Sequence, residues 1–226
     1  MDNLIEKKEE LKKGLMQKLL TGEKRLPGHT QPWKKVKLGD VSEITSGNGF
    51  PEKYQNNLNG NIAFFKVSDL NNKLNYKFLN KANNYITKED AIKISANLKK
   101  KNSIVIAKLG EAIRLERKRI LKKDSFIDNN LASIFLNNKT NYLYVYYILL
   151  NTKISKYCNI GAVPSLNMFD LKNIKLNLPP LDEQRAISEI LSKADEEIEL
   201  LKELRDKKLE EKKGLMQLLL TGIIRV

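Results

Sequence analysis

The chain has 226 residues, 41% of them hydrophobic, a formal net charge of +14 and one cysteine, Cys158. That is apolar material for the core of one ordinary domain plus an extended element; it excludes an internal disulfide, and no run approaches the ~18 apolar residues of a membrane-spanning helix. Residues Met1 to Lys8, MDNLIEKK, are charged and lack the apolar centre of a signal peptide, so a cytoplasmic location is expected.

The first predicted element is a helix over Asn3 to Leu20, with Leu4, Leu11, Leu15 and Leu19 along one face and Thr21-Gly22 to stop it. Its closing phrase, KKGLMQKLLTG at Lys12–Gly22, returns as KKGLMQLLLTG at Lys212–Gly222. The longer match of Lys7–Gly22 with Lys207–Gly222 differs only at Glu9/Leu209, Leu11/Glu211 and Lys18/Leu218. Two copies so far apart are a statement about architecture.

Between the copies the pattern is mixed. Turn residues lead to short strands at Val36–Leu38 and Val41–Thr45, the second ending in the loop SGNGF at Ser46–Phe50. Further strands are predicted at Ile62–Val67, Ser103–Ala107 and Leu131–Leu136, followed by one or two helices in NYLYVYYILLNTKISKY. The expected fold class is α+β: one globular mixed α/β domain, a short N-terminal helix and a long C-terminal coiled-coil helix. The boundaries fall at 1–22, 23–180 and 181–226.

The last region enters through Pro179-Pro180 and runs from Asp182 without Pro or Gly until Gly214, with acids in its first turn as a helix N-terminus favours. Ile187, Leu191, Ala194, Ile198 and Leu201 recur at steps of four and three, the narrow seam of a coiled coil, and are the expected dimerisation residues. Arg205, Lys208 and Lys212 then interrupt the seam before Leu215 and Leu219 resume it. At about 1.5 Å per residue the stretch from Glu183 to Leu220 spans roughly 57 Å, a length suited to a spacer.

Charge divides along the same boundaries. Residues 23–180 hold 27 Lys and Arg against 12 Asp and Glu, an excess of +15, whereas the two ends are nearly neutral at 5 against 4 and 9 against 11. Clustered positive charge suits a polyanion such as nucleic acid; a solvated lysine-rich surface is the other reading. No catalytic constellation is present in the sequence. His29 is the only histidine and sits in a Pro/Gly-rich connection, Cys158 reads as a packed residue, and no metal-ligand spacing occurs. SGNGF lacks the spacing and context of a cofactor-phosphate loop. NLPPL at Asn177–Leu181 differs from the Asn-Pro-Pro-aromatic motif of amino-methyltransferases, because Leu178 separates Asn177 from the prolines and Leu181 is not aromatic.

The sequence LPPLDEQRAISEILSKADEEIELLKELRDKKLEEKKGLMQLLLTG resembles the conserved helical region of type I restriction-modification specificity subunits. KKGLMQKLLTGEKRLPG, with the following tryptophan and LGDVSEITSGNGF, resembles the start of their target recognition domain, and GNIAFFKVSDLN and SFIDNNLASIFLN fit its interior. Members of that family carry two recognition domains and two helical regions in tandem; here there is one of each, with a stub of a central helix in front.

The resemblance implies a non-catalytic subunit that reads one half of a bipartite double-stranded DNA site, and a homodimer that reads an inverted repeat. It implies modification subunits carrying S-adenosylmethionine, restriction subunits carrying ATP and magnesium, and no cofactor on this chain. Candidate DNA-binding residues are Ser46, Asn48 and Phe50 in the SGNGF loop, Lys66, then Lys108, Arg114, Arg117, Lys118 and Arg119 in the basic stretch KLGEAIRLERKR, and Asn129-Asn130. The alternative reading is a coiled-coil interaction protein with non-specific nucleic-acid binding.

Overall fold

Strands form where Ile, Val, Leu and Phe gather between turn residues, and helices where the apolar period lengthens. The computed structural model describes residues 1–159 and 164–221. In chain order the elements are α1 (Asp2–Thr21), β1 (Lys34–Lys37), α2 (Leu38–Val41), β2 (Ser42–Ser46), β3 (Ile62–Phe65), β4 (Phe78–Leu79), β5 (Tyr85–Ile86), α3 (Lys88–Lys93) and β6 (Ile104–Ala107). They continue with α4 (Glu111–Arg114), β7 (Lys118–Leu121), β8 (Phe126–Ile127), β9 (Leu131–Leu136), α5 (Tyr142–Asn151), α6 (Met168–Lys172), β10 (Lys175–Leu178) and α7 (Leu181–Leu220). Two compact units result, residues 30–185 and residues 1–29 together with 186–226. The α+β class and both terminal helices are as expected. Gly222, the end of the repeated phrase, lies outside the described residues.

In the first unit a five-stranded sheet runs in the order β2-β9-β6-β7-β4, beside a three-stranded sheet β5-β3-β8 and the antiparallel pair β1-β10. Its central strand β6 is buried at all four residues, as an apolar run covered on both faces must be. Helix α5 buries Tyr144, Val145, Tyr146, Tyr147 and Leu149, and starts where the Asn141 side chain accepts the Tyr144 N–H at 2.9 Å. The first strand, expected at Val36–Leu38, runs over Lys34–Lys37. Leu38 opens the one-turn helix α2 instead, because the Asp40 carboxylate takes the Lys37 N–H at 3.0 Å and turns the backbone there.

The LPPLDEQR motif closes this unit. Glu183 and Gln184 are 0% and 2% exposed. The Trp33 indole N–H donates to Glu183 Oε2 at 3.1 Å, while Gln184 donates to the Pro179 carbonyl at 2.8 Å and accepts the Asn141 N–H at 2.8 Å. Buried polar groups need such partners, so the motif fastens the start of α7 to the cap of α5 and to the chain around Trp33.

In the second unit α1 and the body of α7 lie antiparallel. Asp2 pairs with Arg205 at 3.4 Å and Lys8 with Glu197 at 2.6 Å, and Glu9 and Lys12 pair with Lys202 and Asp195. Numbers rise along one helix as they fall along the other. The predicted seam is enclosed: Ile187, Leu191 and Ile198 are buried and Ala194 and Leu201 half-buried, as are Leu19 and Leu20 at the far end of α1. Beyond Arg205 the apolar residues emerge, with Leu209, Leu215, Met216, Leu219 and Leu220 all exposed.

Candidate nucleic-acid interface

Strand register decides what shares an end of the sheet. Ser46 at the end of β2 faces Ala132, Ala107 at the end of β6 faces Leu131, and Lys118 at the start of β7 faces Ile106. One edge therefore gathers the SGNGF loop, the basic stretch that follows β6 and the turn Asp128–Asn130. Three segments far apart in sequence become neighbours. Phe65 of β3 pairs in parallel with Ile127, and its carbonyl accepts the Asp128 N–H at 2.9 Å, which brings Lys66 to the same turn.

Gly47 explains why the first loop needs glycine. A Cβ there would sit 2.2 Å from the carbonyl oxygens of Ile127 and Asp128, so the two backbones approach more closely than any side chain permits. The contact is sealed by the Asn48 N–H to Ile127 O at 2.9 Å. Asn48 also ties in a third segment, donating to Ser95 O at 3.1 Å and accepting the Asn97 N–H at 2.8 Å. Phe50 stacks on Phe64 with ring centroids 3.9 Å apart and joins a core cluster with Ile86, Ala91 and Phe126.

The cations divide by direction. The Lys108 ammonium donates to the Ser46 hydroxyl, and Lys99 donates to Thr45 Oγ1 at 3.0 Å. Burial lowers the pKa of both, opposed by the Asp128 charge at Lys108 and the Glu43 charge at Lys99. Lys66 donates to Gln55 Oε1 at 2.8 Å. Arg114 stands exposed on α4 beside Glu111, 3.6 Å away. Asn129 is exposed, and the half-buried Asn130 gives its N–H to Asp128 Oδ1 at 2.7 Å and its carbonyl to the Lys108 N–H at 2.8 Å.

The other basic side chains turn inward. Lys118, 1% exposed, reaches Glu116 Oε2 at 2.6 Å and the Thr152 carbonyl at 3.1 Å. Arg119 donates to the carbonyls of Lys118 and Leu70, each at 2.9 Å, and its buried Nε, like Nη1 of Arg117, has no hydrogen-bond partner among the described residues. Glu116 holds a left-handed φ of 51° because its carboxylate also accepts the N–H groups of Ile154 and Ser155, each at 2.9 Å. Burial pushes its pKa upward, but the bonds from Lys118, Ser155 and Ile154 outweigh it and hold the carboxyl below its ordinary value.

The assembled edge thus offers donors and cations on three loops carried by a rigid sheet, an arrangement able to meet phosphate oxygens and base edges. Lys99, Thr45 and Asn97 belong to it as well; in the sequence Lys99 and Asn97 lie in a polar segment before a strand and Thr45 at the end of one, patterns that mark no site. Among the described residues there is no cluster of three metal-ligating side chains, and no helix is long and apolar enough to cross a membrane.

Comparison with known proteins places these features. The family described as type I restriction modification DNA specificity domain matches residues 30–211. The chain is similar to the type I restriction enzyme MjaVIII specificity subunit of Methanocaldococcus jannaschii, 27% identical over 241 residues that cover 98% of this chain and 55% of the relative. A second protein of that organism, the putative type I restriction enzyme MjaX specificity subunit, is 40% identical over 104 residues, covering 44% of this chain and 24% of its own length. The crystal structure of the HsdS subunit from Thermoanaerobacter tengcongensis shares the fold, with a TM-score of 0.63 at 22% identity over 97% of this chain and 52% of that one. The chain therefore spans about half the length of the relatives it matches end to end.

Proposed function

Because the chain belongs to the family of type I restriction modification DNA specificity domains, we propose that it is the sequence-reading subunit of a type I restriction-modification complex. Residues 23–180 act as a target recognition domain for one half of a bipartite site, and residues 1–22 and 181–226 as conserved helices that space and join such domains. Two chains form a homodimer through α7, with Ile187, Leu191, Ala194, Ile198 and Leu201 as its seam, and read an inverted repeat. Modification subunits supply S-adenosylmethionine, restriction subunits supply ATP and magnesium, and this chain catalyses nothing. It works in the cytoplasm, where the DNA is.

The observation that carries this reading is the convergence of the SGNGF loop, the basic stretch after β6 and the Asp128–Asn130 turn at one end of the sheet, within a region of charge +15. Lys66, Lys108 and Arg114 neutralise phosphates or meet guanine, and Ser46, Asn129 and Asn130 face base edges. Asn48, Phe50, Arg117, Lys118 and Arg119 serve the same site from behind, by holding the loops that present it.

The test is to express the chain with its modification subunit and map the methylated sites. The expected result is one bipartite inverted repeat, with binding to that duplex steeply salt-dependent and stronger than to unrelated DNA. Salt-dependent binding without sequence preference, and no methylated motif, would leave the alternative of a coiled-coil interaction protein with non-specific nucleic-acid affinity.

A further inference from the structure

The repeated phrase has two environments in one chain. In α1 it lies on the body of α7, where Lys8 meets Glu197, Lys12 meets Asp195, and Leu19 and Leu20 are buried. In α7 the same phrase, Lys207 to Leu220, is exposed at Leu209, Leu215, Met216, Leu219 and Leu220. An apolar face that is buried in one copy and open in the other carries the shape and charge of a known ligand without its receptor.

We propose that the receptor is the Ile187–Leu201 face of a second copy of this chain, and that α1 and the partner's Lys207–Leu220 segment compete for it. This rests on the homodimer reading above and adds a mechanism to it. Residue for residue, Lys208 takes the place of Lys8 against the partner's Glu197, and Lys212 that of Lys12 against the partner's Asp195. Each chain offers both a segment and a face, so the exchange is reciprocal and closes about a two-fold axis near Glu203. The offset between the copies sets only where that axis falls, and an offset of 200 residues puts it within α7, between the Ile187–Leu201 face and the Lys207–Leu220 segment, so that neither overlaps the other. The offset fits an isologous pair.

The three differences between the copies fall at positions exposed in α1, away from the shared contact. Glu9, which meets Lys202, becomes Leu209, exchanging a partly exposed ion pair for an apolar group beside the lysine stem. Leu11, 58% exposed in α1, becomes Glu211, removing an apolar group from the solvent side. Lys18 becomes Leu218, which is half-buried where Lys18 is exposed. The positions that α1 turns toward the seam, Lys8, Lys12, Leu15, Met16, Leu19 and Leu20, are the same in both copies, and α1 is the tethered occupant that covers the face while the chain is alone.

Opposite substitutions in the two copies test this. Lys8→Glu with Lys12→Glu loosens α1 and is expected to tighten the dimer about tenfold by sedimentation equilibrium, whereas Lys208→Glu with Lys212→Glu weakens it by about the same factor, the effect of two partly exposed ion pairs reversed. A second measurement places the contact. In a Cys158→Ser background, Asp195→Cys with Lys212→Cys should give a covalent dimer with a short thiol-to-thiol crosslinker. The two positions lie about 25 Å apart along one helix, out of reach within one chain. Asp195→Cys with Lys12→Cys should instead give an internally linked monomer. A dimer whose affinity rises with neither loosening of α1 nor falls with the second pair, and which does not crosslink from 195 to 212, overturns the competition but leaves the homodimer standing. Absence of any dimer from every variant overturns both.

Discussion

Lys108 and Lys118 lie ten positions apart in one basic stretch, on neighbouring strands or their ends, and burial lowers the pKa of both. Their surroundings differ. Lys118 is 1% exposed and locked to the carboxylate of Glu116, which is itself bound by two backbone N–H groups. Lys108 is half-buried and rests on a hydroxyl, with the Asp128 charge near it. A cation that owns a carboxylate is part of the scaffold, while one that leans on a neutral hydroxyl keeps net charge to offer. The comparison separates residues that build the edge from residues that meet its ligand, and substitution should separate them the same way.

The largest effect is expected at the scaffold. Glu116→Gln leaves the Lys118 ammonium buried without a counter-charge and should lower the unfolding free energy by about 3 kcal/mol, measured by urea denaturation. Lys118→Met should cost less, because Glu116 retains solvent and its two N–H partners. The pH dependence has a definite sign. A carboxyl held below its ordinary value of 4.5 contributes stability above that value and loses it as pH falls through the depressed folded value. Glu116→Gln should remove that part of the acid sensitivity. An unchanged acid limb would mean that the Glu116 cluster does not hold this loop. Gly47→Ala should follow, at about 2 kcal/mol, since a methyl group has no room against the 127–128 backbone.

At Lys108 the expectation moves from folding to binding. Lys108→Ala should leave thermal stability nearly unchanged. It should reduce the slope of log affinity against log salt by about 1, with about a tenfold loss of affinity for specific and non-specific DNA alike near physiological salt. Because its pKa is lowered, Lys108 discharges before the exposed lysines as pH rises, so its share of the affinity should fade first on the alkaline side. A Lys108 variant that unfolds instead would erase the distinction from Lys118.

The same contrast marks what was legible in the sequence. The terminal helices and the strands Ile104–Ala107 and Leu131–Leu136 were readable, since their apolar period is strong and local. Strand β7 was not: its first two residues are Lys118 and Arg119, and the burial of these cations depends on Glu116, Thr152 and Leu70, partners fixed only by the fold. Asn48 is legible as part of a Gly-Asn-Gly loop, yet its amide bridges to Ser95 and Asn97, 47 and 49 residues distant, contacts that no local pattern reveals. The helical seam was legible as a seam, but not its occupant. Heptad spacing says that a face will be covered, and whether α1 or another chain covers it is decided by tertiary and quaternary contacts.

The finest discrimination concerns Arg114, the most exposed cation of the basic stretch, where shape rather than charge is at issue. Its neighbour Glu111 is 3.6 Å away and both side chains are largely in solvent, so the pair adds little to stability. Arg114→Lys keeps the charge and removes the planar fork that grips the two acceptors of a guanine. If Arg114 reads a base, this change should leave stability, the salt slope and non-specific affinity as they are. Affinity for the cognate site should fall about fivefold, near 1 kcal/mol, and the methylated motif should relax at one position. If cognate and non-specific affinity are both unchanged, Arg114 meets only phosphate, and the base-reading set contracts to Ser46, Asn129 and Asn130. Sequencing the methylated sites of this single variant distinguishes the two, because a phosphate contact positions the protein without favouring any base.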